Sequence, residues 1–182
     1  MRGTTSLLRL LLGRGLGTDY DGEFLRVGAE RVHLFECFAL VNFLLCSAVC
    51  GEPTEYVEGE SKSGAVGRST PTMQRNCATH YRQTIEILQP TVIVAQGKAV
   101  RHWMKRVIDQ TESVDPICPV EKVRVGSWQC YLATFAHPAA RPPLNWGMNT
   151  QQPYLLKTVV PTLEYLLDGL PACDCRDTDS TH

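Results

Sequence analysis

The side chains best placed to do chemistry in this 182-residue chain are one histidine and two amides. His137 stands in "FAHPAARPPLNWG", residues 135–147, where an apolar run stops and Pro138, Pro142 and Pro143 stiffen the chain beyond it. An imidazole there can polarise a ligand, but it can equally cap a neighbouring helix or bond a carbonyl. Asn42 lies in "ALVNFLLC", and Gln96 precedes Gly97 in "TVIVAQG". A primary amide offers a donor and an acceptor side by side, which serves recognition and also satisfies loop backbone at a strand end. Cysteines Cys37, Cys46, Cys50, Cys77, Cys118, Cys130, Cys173 and Cys175 form no paired C-x-x-C knuckles, which argues against a zinc ribbon and for free thiols used as small apolar residues.

The elements that must position these groups can be read from hydrophobic patterning. Leu7 to Leu12 reads as the end of an amphipathic helix closed by glycines. Phe38 to Val49 is apolar nearly throughout, so a strand covered on both faces is expected there, with Asn42, Cys46 and Ser47 along it. Gly51 to Pro71 is rich in Gly, Ser, Glu and Pro and reads as a long loop. The spacing of Tyr81, Ile85 and Leu88 predicts a helix over Thr72 to Gln89, ended by Pro90. A buried strand over Thr91 to Gly97, a helix over Lys98 to Ile108, and an edge strand plus a buried strand within Val123 to Ala136 come next. In the last helix Pro153 suits the first turn, whereas Pro161 must kink or restart it. The alternation predicts an α/β fold, a three-layer α/β/α arrangement on a short parallel sheet, in which ligands bind beyond the carboxyl ends of the strands. One domain over residues 1–170 and a flexible acidic tail over 171–182 are expected.

A formal net charge of -1 means that the whole-molecule field does not drive the chain onto nucleic acid, so any such contact must be local. Lys98, Arg101, Lys105, Arg106, Lys122 and Arg124 cluster, and either a solvated helix face or a phosphate groove accounts for them. Arg9 interrupts the early leucine run, no small-residue cleavage site comes after it, and no segment reaches transmembrane length. The expectation is a cytoplasmic monomer without membrane contact.

Three segments in order, "ALVNFLLC", "NCATHYRQTIEILQPTVIVAQGKAV" and "ATFAHPAA", resemble consecutive segments of the uracil-DNA glycosylase superfamily, closest to its iron-sulfur bacterial and archaeal branch. The likeness spans Leu7 to Leu170 in outline and about a quarter of positions sharply. It implies recognition of a uracil flipped out of DNA and hydrolysis of its N-glycosidic bond. His137 then carries over as the donor to the pyrimidine oxygen on which charge accumulates, and Asn42 as the reader of the carbonyl and ring N–H that distinguish uracil from cytosine. Gln96 and Gly97 would line the same crevice, Arg141 would touch phosphate, and Leu144 stands near the wedge position, where the family more often has Leu or Ser soon after its motif.

That branch holds an iron-sulfur cluster with four cysteines. Cys46 and Cys77 match its second pair and the first pair is absent, so no intact cluster and no other cofactor is expected unless Cys37 or Cys50 substitutes. The family also begins with a strand and a glycine-rich turn that position the attacking water. This chain starts just after them, which leaves three readings: a glycosylase whose true start lies upstream, a binding-only relative, or an unrelated α/β partner-binding module without a P-loop or G-x-G-x-x-G turn.

Overall fold

The computed structural model describes residues 2–17, 24–27, 29–33, 36–43, 70–114 and 118–170. The elements are α1 (Arg2–Leu11), β1 (Phe24–Val27), β2 (Glu30–His33), α2 (Pro71–Leu88), β3 (Val92–Gln96), α3 (Lys98–Met104), β4 (Gln110–Ser113), β5 (Val120–Val125), β6 (Trp128–Phe135), a π-helical turn (Leu155–Val159) and α4 (Val160–Gly169). The fold is α/β.

The sheet is mixed rather than parallel. Its order is β3-β6-β5-β4, with β3 parallel to β6 and the other two pairs antiparallel. The physical reason is loop length: Val125 pairs with Trp128 across Gly126 and Ser127, and so short a loop can only return the chain antiparallel. Gly126 takes a φ of 60°, as the tight hairpin requires. A second, separate hairpin joins β1 to β2, and Arg31 lies over the Phe24 ring at 4.8 Å.

Side chains alternate across the sheet, so each strand feeds two cores. Ile93, Ala95, Val123, Val125, Cys130 and Leu132 face α2 and α3, packing with Ala78, Ile85 and Met104. Val92, Val94, Tyr131, Ala133 and Phe135 face the other way, toward Leu7 of α1 and Leu155, Val159, Leu163 and Leu166 of the last helix. The helices thus lie on both faces, giving the α/β/α layering. Among the described residues β3 has no strand on its other side.

Local chemistry explains the helix limits. Thr70 accepts the Met73 N–H at 3.2 Å and Pro71 opens α2, while Gln89 closes it at a φ of 46° just before Pro90. α3 ends at Met104, short of the expected Ile108, and turns through Val107. Pro161 cannot donate a backbone hydrogen bond, and the π turn immediately before it lets the helix restart.

The strand expected over Phe38 to Val49 is corrected in its described part: residues 38–43 adopt no strand. Phe43 instead packs as a buried plug between Tyr81 and Trp103, at ring distances of 4.9 and 5.9 Å. Its apolar composition therefore serves the core through a single anchor rather than through strand pairing. Residues 44–50, with Cys46 and Ser47, and the tail over 171–182 lie outside the described residues. No described helix is long and apolar enough to cross a membrane.

Candidate functional site

The parallel pair β3 and β6 brings three of the expected residues together, Gln96, Gly97 and His137. Gln96 pairs with Phe135, and the Gly97 N–H donates to the Phe135 carbonyl at 2.8 Å, so Gln96, Gly97, Ala136 and His137 crowd one sheet end. Gly97 takes a φ of 128°, a conformation L side chains rarely adopt, and this turns the chain straight from β3 into α3.

The loop after β6 is tied at its base. The Pro138 carbonyl accepts from the N–H groups of both Trp146 and Gly147, at 3.2 and 2.9 Å. The Trp146 indole is buried, stands edge-on to Phe135, and donates from Nε1 to the Ala136 carbonyl at 2.6 Å. The Ala136 N–H in turn donates to the Tyr154 hydroxyl at 3.1 Å. Both backbone groups of the residue before His137 are thereby fixed by side chains. Within the loop the Pro142–Pro143 peptide is cis.

α1 closes the cluster from the other side. Gly3 lies so near Pro138, Trp146 and Gly147 that a Cβ there would come within 3.0 Å of the first and third. Thr4 Oγ1 accepts from Gln96 Nε2 at 3.2 Å. The amide expected to face a ligand is therefore engaged with α1, and its carbonyl oxygen lies 3.5 Å from the same hydroxyl.

His137 is exposed, and its Nδ1 accepts the Ala139 N–H at 3.1 Å. With Nδ1 accepting, Nε2 is the ring nitrogen that can carry the N–H donor, at the far side of the ring. The Ala140 N–H to His137 carbonyl bond at 2.8 Å holds the same turn. The arrangement presents a donor on a stiff backbone.

No family model, no curated protein and no solved structure matches this chain.

The remaining expected residues lie elsewhere. Asn42 is exposed and makes no hydrogen bond among the described residues, while its neighbour Phe43 docks on the α2 and α3 layer. Arg141 and Leu144 are exposed on the loop, with the Leu144 N–H donating to the Arg141 carbonyl at 3.1 Å. Sequence reasoning misses Thr4, Trp146 and Tyr154, which position the cluster. A tryptophan soon after a His-Pro turn and a tyrosine in the first turn of the last helix are the signals that point to two of them.

The described cysteines do not make a metal site. Cys77 is buried on α2, Cys37 is exposed, Cys46 lies outside the described residues, and no group of three or more metal-ligating side chains occurs among those described. Burial pushes the Cys130 thiol up to about 11, and it also raises Cys37, with Glu36 adding to the effect. Accessibility then decides labelling: although its raised pKa slows it, exposed Cys37 should be alkylated by iodoacetamide at pH 8 in the native protein, while buried Cys77 and Cys130 are spared until denaturant is added. Peptide mapping by mass spectrometry reads this out, and early labelling of Cys130 would mean that the α2 face of the sheet is not packed.

At the opposite end of the sheet, Asp109 accepts from Arg82 at 3.1 and 2.6 Å and from the Gly126 N–H at 2.7 Å. The Arg82 hydrogen bonds first, and the Gly126 N–H next, hold its carboxyl below the usual Asp range. Stability from this group is complete above the ordinary Asp value of about 4 and disappears as pH falls through the lowered one. Asp109→Asn should accordingly melt lower than the native protein at pH 7, with a shallower loss as pH falls below about 4. Identical melting curves across that window would remove Asp109 from the account.

Proposed function

We propose that this chain recognises a uracil flipped out of DNA and hydrolyses its N-glycosidic bond, with His137 as the donor to the pyrimidine oxygen that gains charge. The observation that carries the reading is the imidazole itself. Its Nδ1 is occupied by a backbone N–H, so Nε2–H is the group left to polarise a ligand. A donor fixed before the reaction is worth most where charge develops, and the tied loop supplies that fixity. In this reading Asn42 reads the pyrimidine edge, Arg141 meets phosphate and Leu144 stands near the wedge position. No described contact joins Asn42 to His137, so the asparagine is tested by itself.

A second reading, binding without hydrolysis, is favoured by one observation. The described partners of the cluster, Gly3, Thr4, Gln96, Trp146, Gly147 and Tyr154, include no carboxylate to activate water.

The experiment is release of free uracil from single-stranded uracil-containing DNA by the purified protein, beside His137→Ala and Asn42→Ala. His137→Ala should slow release by about 100- to 1000-fold, the usual effect of removing one such donor. Release unchanged in both variants would reject the site. Uracil-dependent DNA binding that needs His137, without release, would select the second reading.

A further inference from the structure

The basic residues on α2 and α3 are resolved by the structure into two kinds. Arg101 is neutralised: it forms a paired contact with Glu121 at 2.6 and 2.7 Å. Arg82 is held by Asp109 and lies 3.6 Å from Glu86. Arg75 and Arg106 have no carboxylate partner among the described residues; Arg75 bonds only the Thr72 hydroxyl, at 3.2 Å. Yet these two, with Arg82, Ala78, Thr79 and Val107, line one open groove of about 470 Å³ between α2 and the turn after α3.

Arg82 is already paired with Asp109, so Arg75 and Arg106 are the cations that this groove leaves open to an external anion. Arg75 and Arg82 are seven residues apart on α2, so they lie on one face two turns along, about 10 Å from each other. Residues 71–110 carry six Lys and Arg against Glu86 and Asp109, in a chain whose net charge is -1. With Arg82 paired to Asp109 and Arg101 to Glu121, the positive charge that the groove presents comes from Arg75 and Arg106.

We infer that this groove binds the phosphodiester backbone of nucleic acid. Its openness and the linear spacing of its charges suit a polymer rather than an enclosed small anion, and its apolar lining residues Ala78 and Val107 are buried, leaving no wedge to insert into lipid. The groove does not belong to the His137 cluster. Arg82 reaches Asp109 and through it the Gly126 turn before β6, whereas His137 lies past the other end of that strand, eight residues and about 25 Å away. The inference adds a backbone contact to the DNA reading above, and it is tested with DNA that lacks uracil, so that the two fail separately.

Binding of a fluorescent uracil-free DNA duplex, and of a single strand of the same sequence, is measured by anisotropy between 50 and 200 mM salt for the native chain and for Arg75→Ala with Arg106→Ala. Arg75→Lys with Arg106→Lys keeps the charge and serves as the second variant, and thermal melting checks that each folds. The expected result is salt-sensitive binding whose log–log slope shrinks by about 1.8 in the alanine variant, two contacts at about 0.9 each on duplex, and is retained in the lysine variant. Absence of binding to either DNA at low salt, a slope unchanged by the alanine pair, or stronger association with anionic phospholipid vesicles than with DNA would each overturn the inference. Loss of uracil release in His137→Ala with this binding intact leaves it standing.

Discussion

Trp146→Ala is expected to lower the unfolding free energy by about 3–5 kcal/mol, the usual cost of deleting a buried aromatic side chain. The indole is 1% exposed and packs against Phe135 at the end of the parallel pair. Removing it leaves a large cavity in the α1 and α4 core and strips the Ala136 carbonyl of the indole N–H that it accepts. Trp146→Phe separates the two effects. It keeps most of the volume but loses the N–H, so about 1–3 kcal/mol of the total should remain for an orphaned buried carbonyl. Urea denaturation monitored by far-UV circular dichroism gives both values, and an alanine loss under about 1 kcal/mol would show that the loop is not anchored here.

Glu121→Ala should cost about 2–3 kcal/mol, more than surface ion pairs are worth, because Arg101 is largely buried and already has one nitrogen, Nη1, without a partner. Losing the carboxylate leaves a largely buried guanidinium at the α3 and β5 junction without its counter-charge. Converting both residues together, Arg101→Met with Glu121→Leu, should restore most of that loss, since the desolvation cost of both charges goes with them. Measured beside the single variants Arg101→Met and Glu121→Leu, the double variant closes a double-mutant cycle whose interaction energy is the decisive quantity. A double variant no more stable than Glu121→Ala would mean that the pair, and not the penalty of an orphaned charge, dominates.

The two helices flanking β3 are legible in the sequence because their limits are written in local chemistry: Thr70 with Pro71 at one end of α2, Pro90 at the other, Gly97 at the start of α3. β3 and β6 are legible from largely apolar runs that demand cover on both faces. β4 is not, because "QTES" is exposed throughout and carries no alternation; only the hydrogen bonds of β5 make it a strand. The alternation of helices and strands suggests more parallel pairing than the sheet contains, although the Gly126-Ser127 pair between two strands is a hairpin signal in its own right. The segment around Asn42 misleads for a different reason. Apolar composition reports burial but not how burial is achieved, and Phe43 achieves it as a plug.

For the site, His137, Gln96 and Gly97 are legible as strand-end residues, and the structure groups them. Their supports are not. Thr4 lies 92 residues from Gln96 along the chain, and no pattern in a single sequence announces such a contact. Tyr154 can be picked out as a tyrosine opening the last helix, but its partner, a backbone N–H 18 residues earlier, cannot.

The sheet separates two cores that share strands but almost no side chains: Met104 and Leu132 belong to one, Leu163 and Phe135 to the other. Damage on one side should therefore combine arithmetically with damage on the other, so that Met104→Ala and Leu163→Ala together cost the sum of their separate losses within about 0.5 kcal/mol. Each half of the interior can then drift in sequence without the other having to compensate.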